Sequence, residues 1–147
     1  MIKPKTIIVD VDGVLTDARQ YIDHNNAKVF KRFHCRDISA MRELKRHGIK
    51  IIMASADDWP GVKKWAKKVG VSFEYTREKH NIYTDWDTTL AIGDDYFLDH
   101  KMLHRAKWSY VPLDGNHLLI QDPEIITLPI RGGEGTMDYL CTSVLYR

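Results

Sequence analysis

Two short segments carry closely spaced carboxylates. The first, IIVDVDGVLTD at residues 7 to 17, holds Asp10, Asp12 and Asp17 around Gly13; the second, AIGDD, ends in Asp94 and Asp95. Like charges two residues apart at the end of an apolar run repel each other, and grouping them is costly unless a cation neutralises them. All the donors are oxygens, with no Cys or His ligand pattern beside them. That set suits Mg²⁺, which binds through one or two carboxylates, waters and phosphate oxygens. Ser55 offers a hydroxyl and Lys79 a point positive charge, both suited to phosphate oxygens. One carboxylate can then attack phosphorus as a nucleophile, while another gives and takes the proton.

These residues need a scaffold that brings four separate segments together. TIIVDV reads as a buried parallel strand, IKIIMAS as a second, VSFEY as a short third, TTLAIGDD as a fourth and WSYVPL as a fifth. Asp37 is expected to cap a helix running to about His47, with Ile38, Met41 and Leu44 on one face and Gly48 closing it. Pro60 opens a second helix, with Val62, Trp65, Ala66 and Val69 inward and Gly70 as its stop. YFLDHKMLHRA is helical. Beyond Asp114 the chain reads as loop, with one more strand around Ile125 to Leu128 and a terminal helix from about Gly135. RQYIDHNNAKVFKRFH alternates roughly around a turn-forming His24-Asn25-Asn26, which predicts a projecting β-hairpin. Strands alternating with helices imply an α/β fold: a Rossmann-like three-layer sandwich on a mostly parallel sheet. Ligands of such sheets bind beyond the carboxyl ends of the strands, where Asp10, Asp12, Ser55, Asp94 and Asp95 all fall.

Composition narrows the classes. A chain of 147 residues with 44% hydrophobic and 29% charged residues fits one domain over 1–147. No run reaches the length of a membrane span, and the N-terminus lacks the long apolar stretch of a signal peptide. Two cysteines, Cys35 and Cys141, show no scaffold pattern, so the expected compartment is a reducing cytoplasm. A net charge of +2, spread along the chain, gives no argument for nucleic acid. The seven His show no paired metal spacing; His24, His34 and His80 are open to lining the site mouth, with surface placement the expectation. The four Trp are read as core or subunit-contact residues.

DVDGVLTD resembles the first motif of haloacid dehalogenase superfamily phosphatases, DxDGxxTD. Ser55 is similar to the second motif, Lys79 to the third and IGDD to the fourth, in the family's order. No sizeable cap insertion separates the first two motifs. KRFHCRD is similar to the KxFxxxDG stretch of KDO-8-phosphate phosphatases, and RGGEGTMDYLC resembles the RGGxGAVRE tail of that subfamily; the C-terminal domain of some acylneuraminate cytidylyltransferases shares these motifs. The resemblance implies Asp10 as nucleophile and Asp12 as general acid/base. It implies a Mg²⁺ site from Asp10, Asp94 and the Asp12 carbonyl, and phosphate binding by Ser55, Ala56 and Lys79. It also implies a homotetramer built through the hairpin, 18–34. The tail, 129–147 with Arg131, would then reach a neighbour's site in place of a cap.

The match departs in places. The subfamily's Thr-Gly-Arg is replaced by Ser55-Ala56-Asp57, which exchanges a bidentate cation for an anion and disfavours a carboxylated sugar acid as substrate. Ile38 stands where Gly is usual. The next acid of the fourth motif, Asp99, comes one residue late, which leaves Asp95 and Asp99 both open for the supporting role. The expected activity is a Mg²⁺-dependent phosphomonoesterase on a sugar phosphate, sugar-acid phosphate or nucleoside monophosphate. Two other classes stay open: a catalytically weakened regulatory or assembly protein, and a receiver-like domain that signals through a phosphorylated Asp.

Overall fold

In the computed structural model, which describes residues 2–147, the apolar run Thr6–Asp10 forms β1, buried along its whole length. It pairs in parallel with β4 (Lys50–Ser55) on one side and β6 (Thr89–Ile92) on the other. Continuous Ile/Val/Leu composition, rather than alternation, is what a strand covered on both faces requires. The complete sheet also takes in β5 (Ser72–Tyr75), β7 (Trp108–Val111) and β8 (Ile126–Thr127), in the order β5-β4-β1-β6-β7-β8, with every pair parallel. β2 (Tyr21–Ile22) and β3 (Lys28–Phe30) form the separate antiparallel hairpin, with Tyr21 and Phe30 stacked 4.3 Å apart.

The period of two along each strand splits the core. Ile7 and Val9 of β1, with Ile51 and Met53 of β4, face α1 (Cys35–Arg46), α2 (Pro60–Val69) and α5 (Thr136–Tyr146). Ile8, Ile52 and Ala91 face α3 (Tyr96–Arg105) and the short α4 (His117–Ile120), a helix where the sequence predicts loop. Three layers result, as expected. Pro60 is the first residue of α2, and Gly70 ends it at φ 85°, the left-handed conformation that a C-terminal glycine supplies.

One helix start differs from expectation. α1 is capped by His34, whose Nδ1 accepts from the Arg36 N–H, not by Asp37. Asp37 lies inside the first turn, fully buried, and its Oδ1 accepts from the Asp138 N–H in the first turn of α5. The start of α5 has only Gly135 in the capping position, so Asp37 supplies a cap from a different helix. Its other oxygen, Oδ2, is buried without a hydrogen-bond partner among the described residues.

Burial pushes the Asp37 carboxyl up to about 6, against the opposing backbone hydrogen bonds. Well below about pH 4 the group is protonated in both folded and unfolded chains and has no effect. As pH rises through 6 the buried carboxyl must ionise, and stability on the order of 3 kcal/mol is lost. Asp37→Asn keeps the acceptor and removes the charge. It is expected to raise unfolding free energy at pH 8 by about 1–3 kcal/mol and to leave it nearly unchanged at about pH 4. Urea denaturation at the two pH values checks this; an equal shift at both would show that ionisation is not the cause.

Candidate active site

The chemistry gathers where β1, β4 and β6 end at one edge. A cavity of about 410 Å³ there is lined by Asp10, Asp12, Ser55, Ala56, Asp57, Lys79, Asp94 and Asp95. A larger groove of about 790 Å³ runs between α2 and β5, but its lining is mainly lysine and apolar side chains, without the paired carboxylates.

Lys79 sits in a short helical turn after β5 and is only 1% exposed. Its Nζ donates to Asp10 Oδ1 at 2.5 Å and to Asp99 Oδ1 at 2.6 Å. The second oxygen of Asp99 accepts from the Asp94 and Asp95 N–H groups, at 2.9 and 3.0 Å. Asp99 is fully buried, so it ties the lysine, the β6 end and α3 together in one step. Asp95 does something different: its Oδ1 accepts from the Phe97 and Leu98 N–H groups and caps α3. Of the two acids that the sequence leaves open, Asp99 is thus the one that contacts the Lys79 ammonium.

Charge in this cluster is not balanced by the protein alone. Burial raises the Asp10 carboxyl, with Asp99 adding repulsion and Lys79 opposing both. Burial, then the neighbouring charges of Asp99, Asp114 and Asp95, lift Asp94 to about 7. Two carboxylates with raised proton affinity at the ends of adjacent strands are short of positive charge, and an all-oxygen set fits a hard divalent cation. Gly13 makes the approach possible. It holds φ 87°, and a Cβ there would lie 2.0 Å from Asp94 Oδ2.

Asp12 is held from the hairpin side. Lys31 Nζ donates to both its oxygens at 2.6 and 2.8 Å, and Thr16 Oγ1 donates to Oδ1 at 3.2 Å. Ser55 is buried; its Oγ accepts from the Asp57 N–H and donates to the Asp57 carbonyl, shaping the turn that presents Ala56.

Asp57 departs from the expectation of a bare anion at the mouth. Lys28 Nζ lies 2.5 Å and Lys31 Nζ 3.0 Å from its Oδ2. Burial works against ionisation, but hydrogen bonds from Lys28, Lys31 and the Trp59 N–H hold its carboxyl down at about 2. One aspartate is thus matched by two lysines, one of them shared with Asp12. Lys28 and Arg77 also line the cavity, and residue type and spacing point to neither. Lys31 falls within KRFHCRD, where nothing local assigns it a role; only the fold-back of the hairpin brings these cations to β4.

The tail ends in the helix expected from about Gly135. Residues 136 to 146 form α5, packed on α1 in the same chain. The Gly133 N–H and the Thr136 Oγ1 both donate to the Val14 carbonyl, and a Cβ on Gly132 would fall 1.9 Å from the Gly13 carbonyl oxygen. The paired glycines therefore brace their own chain's first-motif loop. Arg131 is exposed and does not line the cavity of its own chain. Of the histidines expected at the surface, none of His24, His34 and His80 lines the cavity. The expectation that no His pair has metal spacing fails: His100 and His104 stand one turn apart on α3, beside Asp122. Cys35 and Cys141 are free thiols. No helix among the described residues is long and apolar enough to cross a membrane.

No protein-family model matches the chain. The 3-deoxy-D-manno-octulosonate 8-phosphate (KDO-8-phosphate) phosphatase of Escherichia coli K12 is 26% identical over 151 residues, spanning 96% of this chain and 79% of that protein. Its Haemophilus influenzae counterpart is 34% identical over 101 residues, 62% of this chain and 56% of its own length. The solved cobalt-bound structure of the Haemophilus influenzae phosphatase superposes with a TM-score of 0.88 at 25% identity, covering 97% of this chain and 88% of that one. The Moraxella catarrhalis phosphatase, solved with magnesium, phosphate and KDO, gives a TM-score of 0.82 at 20% identity over 98% of this chain and 87% of that one, a likeness of fold.

Proposed function

We propose that this chain, a haloacid dehalogenase superfamily phosphatase similar to the KDO-8-phosphate phosphatases, releases phosphate from a phosphorylated sugar or sugar acid through an aspartyl-phosphate on Asp10. The observation that carries this reading is the buried Lys79 ammonium between Asp10 and Asp99, with Asp94 held beside it.

An Asp10 carboxylate oxygen attacks phosphorus, and the ester P–O bond breaks. The leaving alkoxide takes a proton from Asp12. Water then attacks the phosphorus of the aspartyl-phosphate, Asp12 takes the proton from that water, and inorganic phosphate leaves with Asp10 restored. Lys79, the Ser55 hydroxyl and the Ala56 N–H bind phosphoryl oxygens. Lys31 and Thr16 orient Asp12, so a shift of its carboxyl away from the leaving group is resisted. Asp10 and Asp94, with the Asp12 carbonyl, would hold Mg²⁺, whose charge offsets that of the phosphoryl oxygens. Chelation of divalent metal is expected to abolish phosphate release, and added Mg²⁺ to restore it.

The rival classes fit less well. A receiver-like domain would carry its phosphorylated Asp on the third strand, whereas the lysine-paired Asp10 here ends the first. A weakened assembly protein would not need the intact Lys79, Asp10 and Asp94 arrangement. The deciding experiment is a phosphate-release panel of sugar phosphates, sugar-acid phosphates and nucleoside monophosphates, run with and without Mg²⁺. Failure to release phosphate from any of them would remove the enzyme reading.

Asp57 also bears on specificity. Because Lys28 and Lys31 neutralise it, the mouth admits a substrate carboxylate, and KDO-8-phosphate belongs in the panel. Asp57→Asn frees Lys28, while Lys31 stays bonded to Asp12, and is expected to lower KM for a carboxylated sugar phosphate about 3- to 5-fold more than for a neutral one, the scale of a partly exposed ion pair. Equal KM changes on the two substrates would show that Asp57 does not tune charge recognition. A tetramer joined through the hairpin belongs to the same proposal, supported by the exposed Ile22, Val29 and Phe30, and Arg131 would then reach a neighbour's cavity. Sedimentation of a monomer at assay concentration would count against that assembly.

A further inference from the structure

We propose a second metal site, for a borderline first-row cation such as Zn²⁺, on α3 away from the carboxylate cavity: His100, His104 and Asp122 as ligands, with Glu124 orienting His104. The donor atoms of the first three lie within 4.8 Å of one another. His100 and His104 are four residues apart on one helix face, their ring centroids 4.5 Å apart, the spacing by which two imidazoles on a helix meet one cation. Tyr96 stacks on His100 at 4.6 Å and limits its ring orientation.

The two nitrogens of His104 have different surroundings. Nδ1 lies 2.9 Å from Glu124 Oε2, and Nε2 lies 2.7 Å from Asp122 Oδ2. Each ring nitrogen thus faces a carboxylate oxygen; a cation taking the place of the Nε2 proton leaves Nδ1–H donating to Glu124, the arrangement by which carboxylates orient metal-bound histidines. The cation would enter between Nε2 and Asp122. Metal–ligand bonds of about 2.0–2.1 Å put tetrahedral donors about 3.3 Å apart. The Nε2 to Oδ2 gap must therefore open slightly and His100 must close in, movements that side chains at a partly exposed surface can make. The set of two imidazoles and one carboxylate leaves a fourth position to water, and it differs in kind from the all-oxygen set at Asp10 and Asp94. Bound there, a cation would join α3 to the segment following α4, whose Ile125 shares a core cluster with Met102 and Leu103 of α3.

The test is calorimetric titration of Zn²⁺ into the full-length protein under saturating Mg²⁺, which keeps the all-oxygen site filled. One equivalent is expected to bind. His100→Ala with His104→Ala should weaken that event at least tenfold, and Glu124→Gln about tenfold. Near-ultraviolet circular dichroism reports whether each variant keeps the native fold; the substituted side chains are partly exposed, and His100→Ala alone serves if the double variant does not fold. Wild-type protein that binds no Zn²⁺ under Mg²⁺, or folded variants that bind it as tightly as wild type, would overturn the site.

Discussion

Asp10→Asn is expected to lower phosphate release by at least about 10³-fold while leaving the chain folded. The amide keeps the shape of the side chain but cannot attack phosphorus as an anion. It also removes one of the two carboxylates facing the Lys79 ammonium. Asp99 remains bonded to that ammonium at 2.6 Å, so the lysine keeps a counter-charge and the site does not collapse. Burial and Asp99 already raise the Asp10 carboxyl, which means its ionised form is the strained partner of the cluster. Removing that charge should leave stability unchanged or slightly higher, even as activity is lost. Single-turnover phosphate release and urea denaturation on the same preparation check both halves. Turnover that survives the substitution assigns the nucleophile elsewhere.

Lys79→Met is expected to be the most damaging single change to stability, costing about 3–5 kcal/mol. The methionine fills much of the volume but leaves Asp10, Asp94 and Asp99 without the cation buried among them. Burial works to lower the Lys79 ammonium, but Asp10 and Asp99 outweigh it and hold the group well above the usual lysine range. The lysine therefore stays charged across the working range. Once it is gone, the remaining carboxylates, two of them buried, repel one another with little solvent to screen them. A divalent cation at Asp10 and Asp94 replaces part of the missing charge. The loss should therefore shrink when Mg²⁺ is added, while the wild-type midpoint rises less. Denaturation of both proteins with and without Mg²⁺ reads this directly. A Lys79→Met protein as stable as wild type in chelator would mean that the carboxylates are neutral without the lysine.

The expected fold was legible because its cause is local. Apolar runs such as TIIVD and KIIMAS have the composition of strands covered on both faces, and Pro60 and Gly70 mark the ends of α2. Polar residues placed at the ends of such runs fall at one edge of a parallel sheet, so Asp10, Ser55 and Asp94 stand out from residue type and position alone. The charge at Asp57 did not, because it depends on partners far away in the chain: Lys28 and Lys31 reach it only when the hairpin folds back over the end of β4. Asp37 escaped for a related reason. An acid near a helix start looks like that helix's own cap, and nothing local shows that it serves α5 instead.

The order of strands and helices and the kinds of atom at the sheet edge follow from periodicity and residue type, which are properties of adjacent positions. Which charges neutralise which is settled by the folded arrangement. It puts Lys79 between Asp10 and Asp99, gives Asp99 rather than Asp95 the backbone of the β6 end, and sets the Gly132-Gly133 pair against Gly13 and Val14. Coulomb and hydrogen-bond energies depend on distance and burial. Both are fixed only when segments remote in the chain come into contact.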